Sequence, residues 1–184
     1  MDNNEVYDKS IILIGPSGAG KSTVTEELSR MTKMPRLCLD KVANDARKSG
    51  FRAKFDSRDS FNNYMIRTCL QKALISGIAG VVDFGAGHSV YDDEEIFRGI
   101  KEILSKFKNI VLLLPTPDID TSLEIMAKRS TGDYSTNEQF IRSHCNRDLA
   151  TMVVYENGRT PREVAEGILK QIEDRENQAQ KAKE

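Results

Sequence analysis

The sequence predicts an α/β protein in which a five-stranded parallel sheet lies between two layers of helices. Five short apolar runs alternate with helical patterns, and this alternation is typical of a parallel sheet covered on both faces. The first run, Ile11–Ile14, leads directly into a glycine-rich loop and then a helix, the context in which phosphate-binding loops occur. The predicted strands cover residues 11–14, 37–39, 78–83, 110–114 and 152–155.

The helices are predicted from apolar spacing and from the residues at their ends. Between residues 92 and 108 one apolar stripe runs from acidic residues at the start to lysines near the end, which suits the helix dipole. Gly77 is expected to cap the preceding helix, and Thr136 to cap one after the fourth strand. The predicted helices cover residues 21–31, 42–49, 61–76, 92–108, a segment ending near 129, a segment from 136, and 163–172.

Length and composition indicate one domain over residues 1–184, with a core from about 10 to 172 and a polar tail from 173 to 184. The net charge of −1 with 30% charged residues predicts a surface of mixed sign, so nucleic acid is not expected as a partner. The apolar runs are too short to cross a bilayer, and the acidic, polar N-terminus lacks a secretory signal. With three isolated cysteines that are expected to be reduced, these features predict a cytoplasmic protein.

The loop after the first strand indicates the chemistry. Gly15-Pro16-Ser17-Gly18-Ala19-Gly20-Lys21-Ser22-Thr23 fits the phosphate-binding pattern G-x-x-x-x-G-K-S/T. Glycines let successive N–H groups turn towards one anion, and the positive end of the following helix adds to the attraction. Lys21 is placed to reach the β- and γ-phosphates, and the Ser22 hydroxyl to ligate Mg²⁺. The pattern predicts a site for a nucleoside triphosphate and Mg²⁺.

The rest of the sequence separates the classes of P-loop protein. A GTPase needs an N-K-x-D motif to read guanine, and the sequence has none. A motor or AAA-type ATPase usually ends a strand in Asp-Glu to activate water, whereas the third strand here ends in Val82-Asp83-Phe84 and the fourth in Leu114-Pro115. Small kinases have two helices between the second and third strands and a lid-like loop between two later helices. The sequence predicts both features here, with the polar loop over 130–135 as the lid.

Several segments resemble the shikimate kinases. The loop over 15–23 matches their G-x-x-G-x-G-K-S-T sequence, and Leu37-Cys38-Leu39-Asp40 lies where that family ends its second strand in an Asp-bearing segment. The segment 81–87 resembles the strand that leads to their triple-glycine substrate loop. The run over 153–165 looks like their adenine-side loop and last helix, and Arg142 falls where the family has an arginine that holds the substrate carboxylate.

This resemblance covers residues 10–172 and implies the nucleoside-monophosphate-kinase fold, with strand order 2-3-1-4-5, ATP as the nucleotide and a mobile lid. It implies that Arg129 and Pro161 lie on the two faces of adenine, with a contact to the γ-phosphate as the alternative for Arg129. It also implies that Gly85-Ala86-Gly87 and Arg142 bind the substrate.

The segments that bind the acceptor in that family are partly different here. Asp40-Lys41-Val42 offers one carboxylate where the family has an Asp-x-Asp pair, and Phe61-Asn62 stands where it has Phe-Arg. The lid arginine is missing, and Arg142 is followed by Ser143-His144-Cys145 instead of Pro-Leu-Tyr. The nucleotide half of the pattern is kept, which predicts a kinase of this architecture with an acceptor other than shikimate.

Two carboxylates at strand ends are candidates for roles in the reaction. Asp40 can accept a proton from a substrate hydroxyl or hold Mg²⁺ through water, and its alternative is the N-cap of the helix from Val42. Asp83 is a rival for the Mg²⁺ role, with a turn residue as its alternative. Gly85 and Gly87 would let substrate approach the backbone closely, although a simple turn explains them as well.

Together these observations predict an Mg²⁺·ATP-dependent kinase that phosphorylates a hydroxyl of a small metabolite, with Lys21 and Asp40 as the catalytic residues. The alternatives are a nucleoside or nucleotide kinase, a resistance-type phosphotransferase, and a nucleotide-binding regulatory module with little turnover. The regulatory module remains an alternative because the second carboxylate and the lid arginine are missing. The oligomeric state is left open as well.

Overall fold

The structure is a computed structural model that describes residues 4–129 and 134–182. Its strands are β1 (Ile11–Ile14), β2 (Arg36–Cys38), β3 (Val81–Asp83), β4 (Asn109–Leu114) and β5 (Met152–Tyr155). They form one parallel sheet in the order β2-β3-β1-β4-β5, which confirms the predicted fold class and strand order. β1 is central, because Ile12 is in register with Val82 on one side and with Ile110 on the other.

Helices cover both faces of this sheet. They are α1 (Asn4–Lys9), α2 (Lys21–Thr32), α3 (Leu39–Lys48), α4 (Arg58–Ser76), α5 (Glu94–Leu104), α6 (Ile119–Arg129), α7 (Tyr134–Arg142), α8 (His144–Leu149) and α9 (Pro161–Lys181). Two short 3-10 helices occupy Phe51–Lys54 and Ala86–His88. Gly77 ends α4 in the left-handed conformation, with φ of 65°, as predicted for a helix C-cap. None of the described helices is long and apolar enough to span a membrane.

Two apolar cores result from the layering of helices on the sheet. Successive strand residues point to opposite faces, so Ile11 and Leu13 pack with α2 and α9 while Ile12 and Ile14 pack on the other side. The second side carries the larger core, to which α3 to α8 contribute buried residues. The carboxyl ends of all five strands meet at one edge of the sheet, since the strands are parallel.

The start of α3 differs from the prediction in a way that matters for Asp40. The helix begins at Leu39 and its N-cap is Cys38, so Asp40 lies in the first turn. The alternative that Asp40 caps a helix from Val42 is therefore wrong. Leu39 is fully buried in the larger core, and packing of this side chain brings the helix start forward.

Other element ends also differ from the predictions. α5 ends at Leu104, before the buried Phe107, and β3 begins at Val81 because Ile78 lies on the surface. α7 already begins at Tyr134, so Thr136 is not its N-cap. α1 was not expected, since its short polar sequence buries only Val6.

The last helix is longer than predicted. α9 starts at Pro161 behind a capping box formed by Thr160 and Glu163, and it continues through the polar tail to Lys181. The lid-like loop predicted over 130–135 falls mainly on residues 130–133, which lie outside the described residues.

The packing of α2 on the sheet leads to a stability prediction. Leu28 of α2 is fully buried, so Leu28→Ala removes apolar contacts and leaves a cavity, at a cost of about 2–5 kcal/mol in the free energy of unfolding. Ile75 of α4 is 71% exposed, so Ile75→Ala is a control that changes stability by less than about 0.5 kcal/mol. Urea unfolding of both variants measures the difference, and equal costs would contradict this packing.

Candidate active site

A cavity of about 640 Å³ lies at the carboxyl ends of the strands and brings most of the predicted site residues together. Ser17 to Thr23 of the glycine-rich loop line it, and Asp40 of α3 and Asp83 of β3 face the same space. In open parallel sheets this edge is where ligands bind. The predicted residues that also line the cavity are Ala86, Gly87, Arg129 and Pro161, whereas Gly15, Pro16, Gly85 and Arg142 are not among its lining residues.

The loop between β1 and α2 has a backbone that depends on glycine. Gly15, Gly18 and Gly20 have φ of 136°, 78° and 82°, values that side chains oppose. At Gly15 an added Cβ would also lie 2.5 Å from the Leu113 carbonyl oxygen of β4. Gly20 is the N-cap of α2 and offers no side chain to the first helical N–H groups. The loop therefore has the form of an anion-binding helix N-terminus.

Lys21 is held at the centre of this site. Its side chain is 7% exposed, and Nζ donates a hydrogen bond to the Pro16 carbonyl oxygen at 2.8 Å. Burial lowers the pKa of Lys21, and the nearby carboxylates of Asp83 and Asp40 act in the opposite direction. Ser22, the next residue, is exposed at the cavity. The ammonium group thus lies within the field of both candidate carboxylates.

Asp83 is fixed by a partner that sequence reasoning missed. The carboxylate is 3% exposed, and its Oδ2 accepts a hydrogen bond from Arg36 Nη2 of β2 at 3.0 Å. β2 pairs with β3, with Arg36 in register with Val81, so the guanidinium reaches along the neighbouring strand. A lone arginine at a strand start carries no local signal of this contact. Asp83 is thus a positioned carboxylate at the end of β3.

Asp40 packs against the loop that follows β3. An added Cβ on Gly85 would lie 1.8 Å from Asp40 Oδ1, so the carboxylate occupies the space that a side chain would need. His88 Nδ1 lies 3.5 Å from the same oxygen. Burial lowers the pKa of His88; Asp40 and the backbone of Gly85 oppose this shift, and Arg47 and Lys21 add to it. His88 had no predicted role, because a lone histidine carries no local signal of this contact.

The opposite end of the cavity contains residues from the end of β5. Arg129 makes two hydrogen bonds to the Glu156 carboxylate, of which Nη2 to Oε1 is 3.0 Å. This carboxylate raises the pKa of Arg129. Arg159 lines the cavity beside Pro161 and donates through Nε to the Glu156 carbonyl oxygen at 3.1 Å. Glu156 and Arg159 had no predicted role, although the run over 153–165 contains both.

Arg142 lies away from the cavity. It is the last residue of α7, and its Nε donates to Glu138 Oε1 at 2.9 Å while Nη2 lies 3.4 Å from Asp120 Oδ1. The side chain is 50% exposed. The carboxylate-binding role that the resemblance implies for Arg142 stays a prediction.

Metal ligands are sparse in the described ranges. Within residues 4–129 and 134–182, no three side chains of histidine, cysteine, aspartate or glutamate are grouped as a metal site. Ser22, Asp40 and Asp83, the three predicted ligands, all line the same cavity.

Comparison with known proteins places the chain among P-loop proteins. Residues 11–138 match the family described as AAA domain, although β3 and β4 lack the Asp-Glu end that motor and AAA-type ATPases usually have. A shikimate kinase of Enterococcus faecalis is 28% identical over 178 residues, which is 90% of this chain and 99% of that protein. This similarity confirms the resemblance to shikimate kinases that the motifs indicated.

Solved structures share the fold over nearly the whole chain. The shikimate kinase from Acinetobacter baumannii in complex with shikimate superposes with a TM-score of 0.66 at 22% identity, covering 94% of this chain and 98% of that one. A gluconokinase from Sinorhizobium meliloti gives 0.57 at 16% identity, with the same coverage of 94% and 98%. The sheet order and flanking helices are thus those of small P-loop kinases.

The glycine-dependent loop leads to a prediction about binding. Gly15→Ala would bring Cβ to 2.5 Å from Leu113 O, so we expect the loop to be displaced and ATP affinity to fall at least about tenfold, the scale of a 1–2 kcal/mol strain. Gly50→Ala is the control, because Gly50 also has a positive φ, of 75°, but no atom lies within 4 Å of its added Cβ. Calorimetric titration with ATP measures both, and unchanged affinity in Gly15→Ala would contradict the loop geometry.

Proposed function

The chain belongs to the AAA-domain family, and we propose that it is an ATP-dependent small-molecule kinase that transfers the γ-phosphoryl group to a hydroxyl. The proposal depends on one observation: the glycine-rich loop, Lys21 and the carboxylates of Asp40 and Asp83 line the same cavity. Relatives that include a shikimate kinase and a gluconokinase support the same reaction. They do not favour the nucleotide-kinase, resistance-enzyme or regulatory alternatives.

The nucleotide is expected to lie along the cavity from the glycine-rich loop to Arg129 and Pro161. The loop N–H groups and the N-terminus of α2 suit the phosphates, and Lys21 neutralises charge that develops during transfer. Arg129 and Pro161 flank the adenine side, where the pairing of Arg129 with Glu156 holds the guanidinium in place. Arg159 is a further contact at this end.

The residues at the phosphate end also suit Mg²⁺, which when bound would neutralise charge on the phosphates. Mg²⁺ takes most of its ligands from phosphates and water, so the sparse protein ligands of this cavity fit it. Ser22 offers a hydroxyl, and Asp83 offers the oxygen that Arg36 does not bind. We assign Ser22 and Asp83 to Mg²⁺, because Asp40 is held at the acceptor side by Gly85 and His88.

The acceptor is expected to lie between Asp40 and the segment Gly85–Gly87. Asp40 accepts the proton of the acceptor hydroxyl as the oxygen attacks the γ-phosphorus, and the bond from that phosphorus to the bridging oxygen of ADP breaks. Ala86 and Gly87 line the cavity and present backbone to the acceptor. The acceptor in this proposal is a small metabolite that brings one hydroxyl to Asp40.

The experiment that tests the function is a measurement of ADP release from Mg²⁺·ATP. Shikimate, gluconate, nucleosides and nucleoside monophosphates are added singly, and we expect one hydroxyl acceptor to raise release at least about a hundredfold over ATP alone, the scale of general base catalysis. A rise in ADP release with shikimate would show that Asp40 is enough for phosphorylation of shikimate, without the acceptor-binding residues in which this chain differs from shikimate kinases. Tight ATP binding with no rise for any acceptor would contradict a kinase for these substrate classes.

A variant of the central lysine tests the catalytic assignment. Lys21→Ala removes the charge beside the phosphates and should cost at least about 2 kcal/mol of transition-state stabilisation, a fall of about thirtyfold in kcat. Lys170→Ala is the control, because this lysine lies on the part of α9 beyond the residues that line the cavity. Unchanged turnover in Lys21→Ala would overturn the assignment of the loop.

A further inference from the structure

We propose that His88 is a positioning residue that holds the Asp40 carboxylate against Gly85, so that one carboxylate oxygen is free to accept the hydrogen bond of the acceptor hydroxyl. The proposal rests on the proposed function, because it assumes that Asp40 faces the acceptor. It adds a residue to the site that neither the motifs nor the relatives assign.

The first support is the contact between Asp40 and Gly85. Asp40 Oδ1, Cγ and Oδ2 lie only 1.8 Å, 2.2 Å and 2.5 Å from the position that a Cβ on Gly85 would take. The φ of Gly85 is −61°, which any residue adopts, so space for the carboxylate explains this glycine, and backbone conformation does not. Since the Asp40 side chain is 56% exposed at the cavity, a carboxylate without further contacts would rotate freely.

The second support is the state of His88. The residue is 2% exposed, and neither ring nitrogen has a hydrogen-bond partner among the described residues. Its nearest charged group is Asp40, with Nδ1 at 3.5 Å from Oδ1. Buried polar groups are normally satisfied, so an imidazole in this place needs an explanation. A small movement of the Asp40 side chain would bring Oδ1 within hydrogen-bond distance of Nδ1–H.

The third support is that Gly85 and His88 belong to one rigid turn. The His88 N–H donates to the Gly85 carbonyl oxygen at 2.9 Å and closes the short 3-10 helix over Ala86–His88. Asn62 Nδ2 of α4 donates to the Gly87 carbonyl oxygen at 2.8 Å and ties this turn to the core. The bare face of Gly85 therefore lies against the whole Asp40 carboxylate, and the imidazole lies beside Oδ1. In this proposal His88 holds Oδ1, and Oδ2 accepts the hydrogen bond of the acceptor hydroxyl.

Substitution of His88 tests this arrangement, using the acceptor that the ADP-release panel identifies. His88→Phe fills the space without an N–H donor, and we expect kcat to fall about ten- to a hundredfold, the scale for loss of a residue that orients a functional side chain, with KM for ATP within twofold of wild type. His88→Asn keeps an N–H near the Nδ1 position and should recover most of kcat. Ser89→Ala is the matched control, because Ser89 is the next residue and is also buried, with an unpartnered hydroxyl among the described residues.

A double-mutant cycle separates this proposal from the proposed function. If His88 acts through Asp40, His88→Phe should have no further effect on kcat in an Asp40→Asn background. A normal kcat in Asp40→Asn alone would contradict the role of Asp40 in the proposed function. A loss in Asp40→Asn with wild-type kcat in His88→Phe, or additive losses in the double variant, would overturn the role of His88 alone. If His88→Phe does not fold, His88→Leu, which also lacks a donor, takes its place in the cycle.

Discussion

The close approach of Gly15 to the backbone of β4 is the constraint on which the rest of the site depends. β1 is the central strand, and its chain turns at the sheet edge at Gly15. A Cβ added to Gly15 would lie 2.5 Å from the Leu113 carbonyl oxygen of the neighbouring strand β4. Glycine alone permits this turn, which directs the following loop across the strand ends and starts α2 at Lys21. The positions of the phosphate-binding N–H groups and of Lys21 therefore follow from the packing of two neighbouring strands.

The charged side chains around this turn are partly buried, and their burial costs free energy of folding. A buried ammonium group is unfavourable unless it has partners, and the lowered pKa of Lys21 reflects that burial. Asp83 and Asp40 offset part of the cost, and Arg36 in turn pairs with Asp83. Such a network stabilises a fold poorly compared with apolar packing, but it holds charge ready for an anionic ligand.

The differences from shikimate kinases are concentrated at one side of the cavity. The glycine-rich loop and the run that leads into α9 keep the family's pattern, and both line the nucleotide end. At the acceptor end, Asn62 and His88 surround the turn after β3, and Arg142 lies outside the cavity with carboxylate partners of its own. In the proposed function the phosphoryl donor binds at a separate end of the cavity, so a few side chains at the other end are expected to set the choice of acceptor.

The sequence by itself determined the strands, the phosphate-binding loop and the presence of carboxylates at strand ends, because apolar runs and glycine spacing are local patterns. The resemblance to a family added the strand order, which the sheet confirms. Only the tertiary structure decided that Arg36 holds Asp83, that Asp40 rests on Gly85 beside His88, and that Arg142 pairs with Glu138. These contacts depend on where helices start and how they pack, as the early start of α3 at Leu39 shows, and packing is decided by residues far apart in the chain.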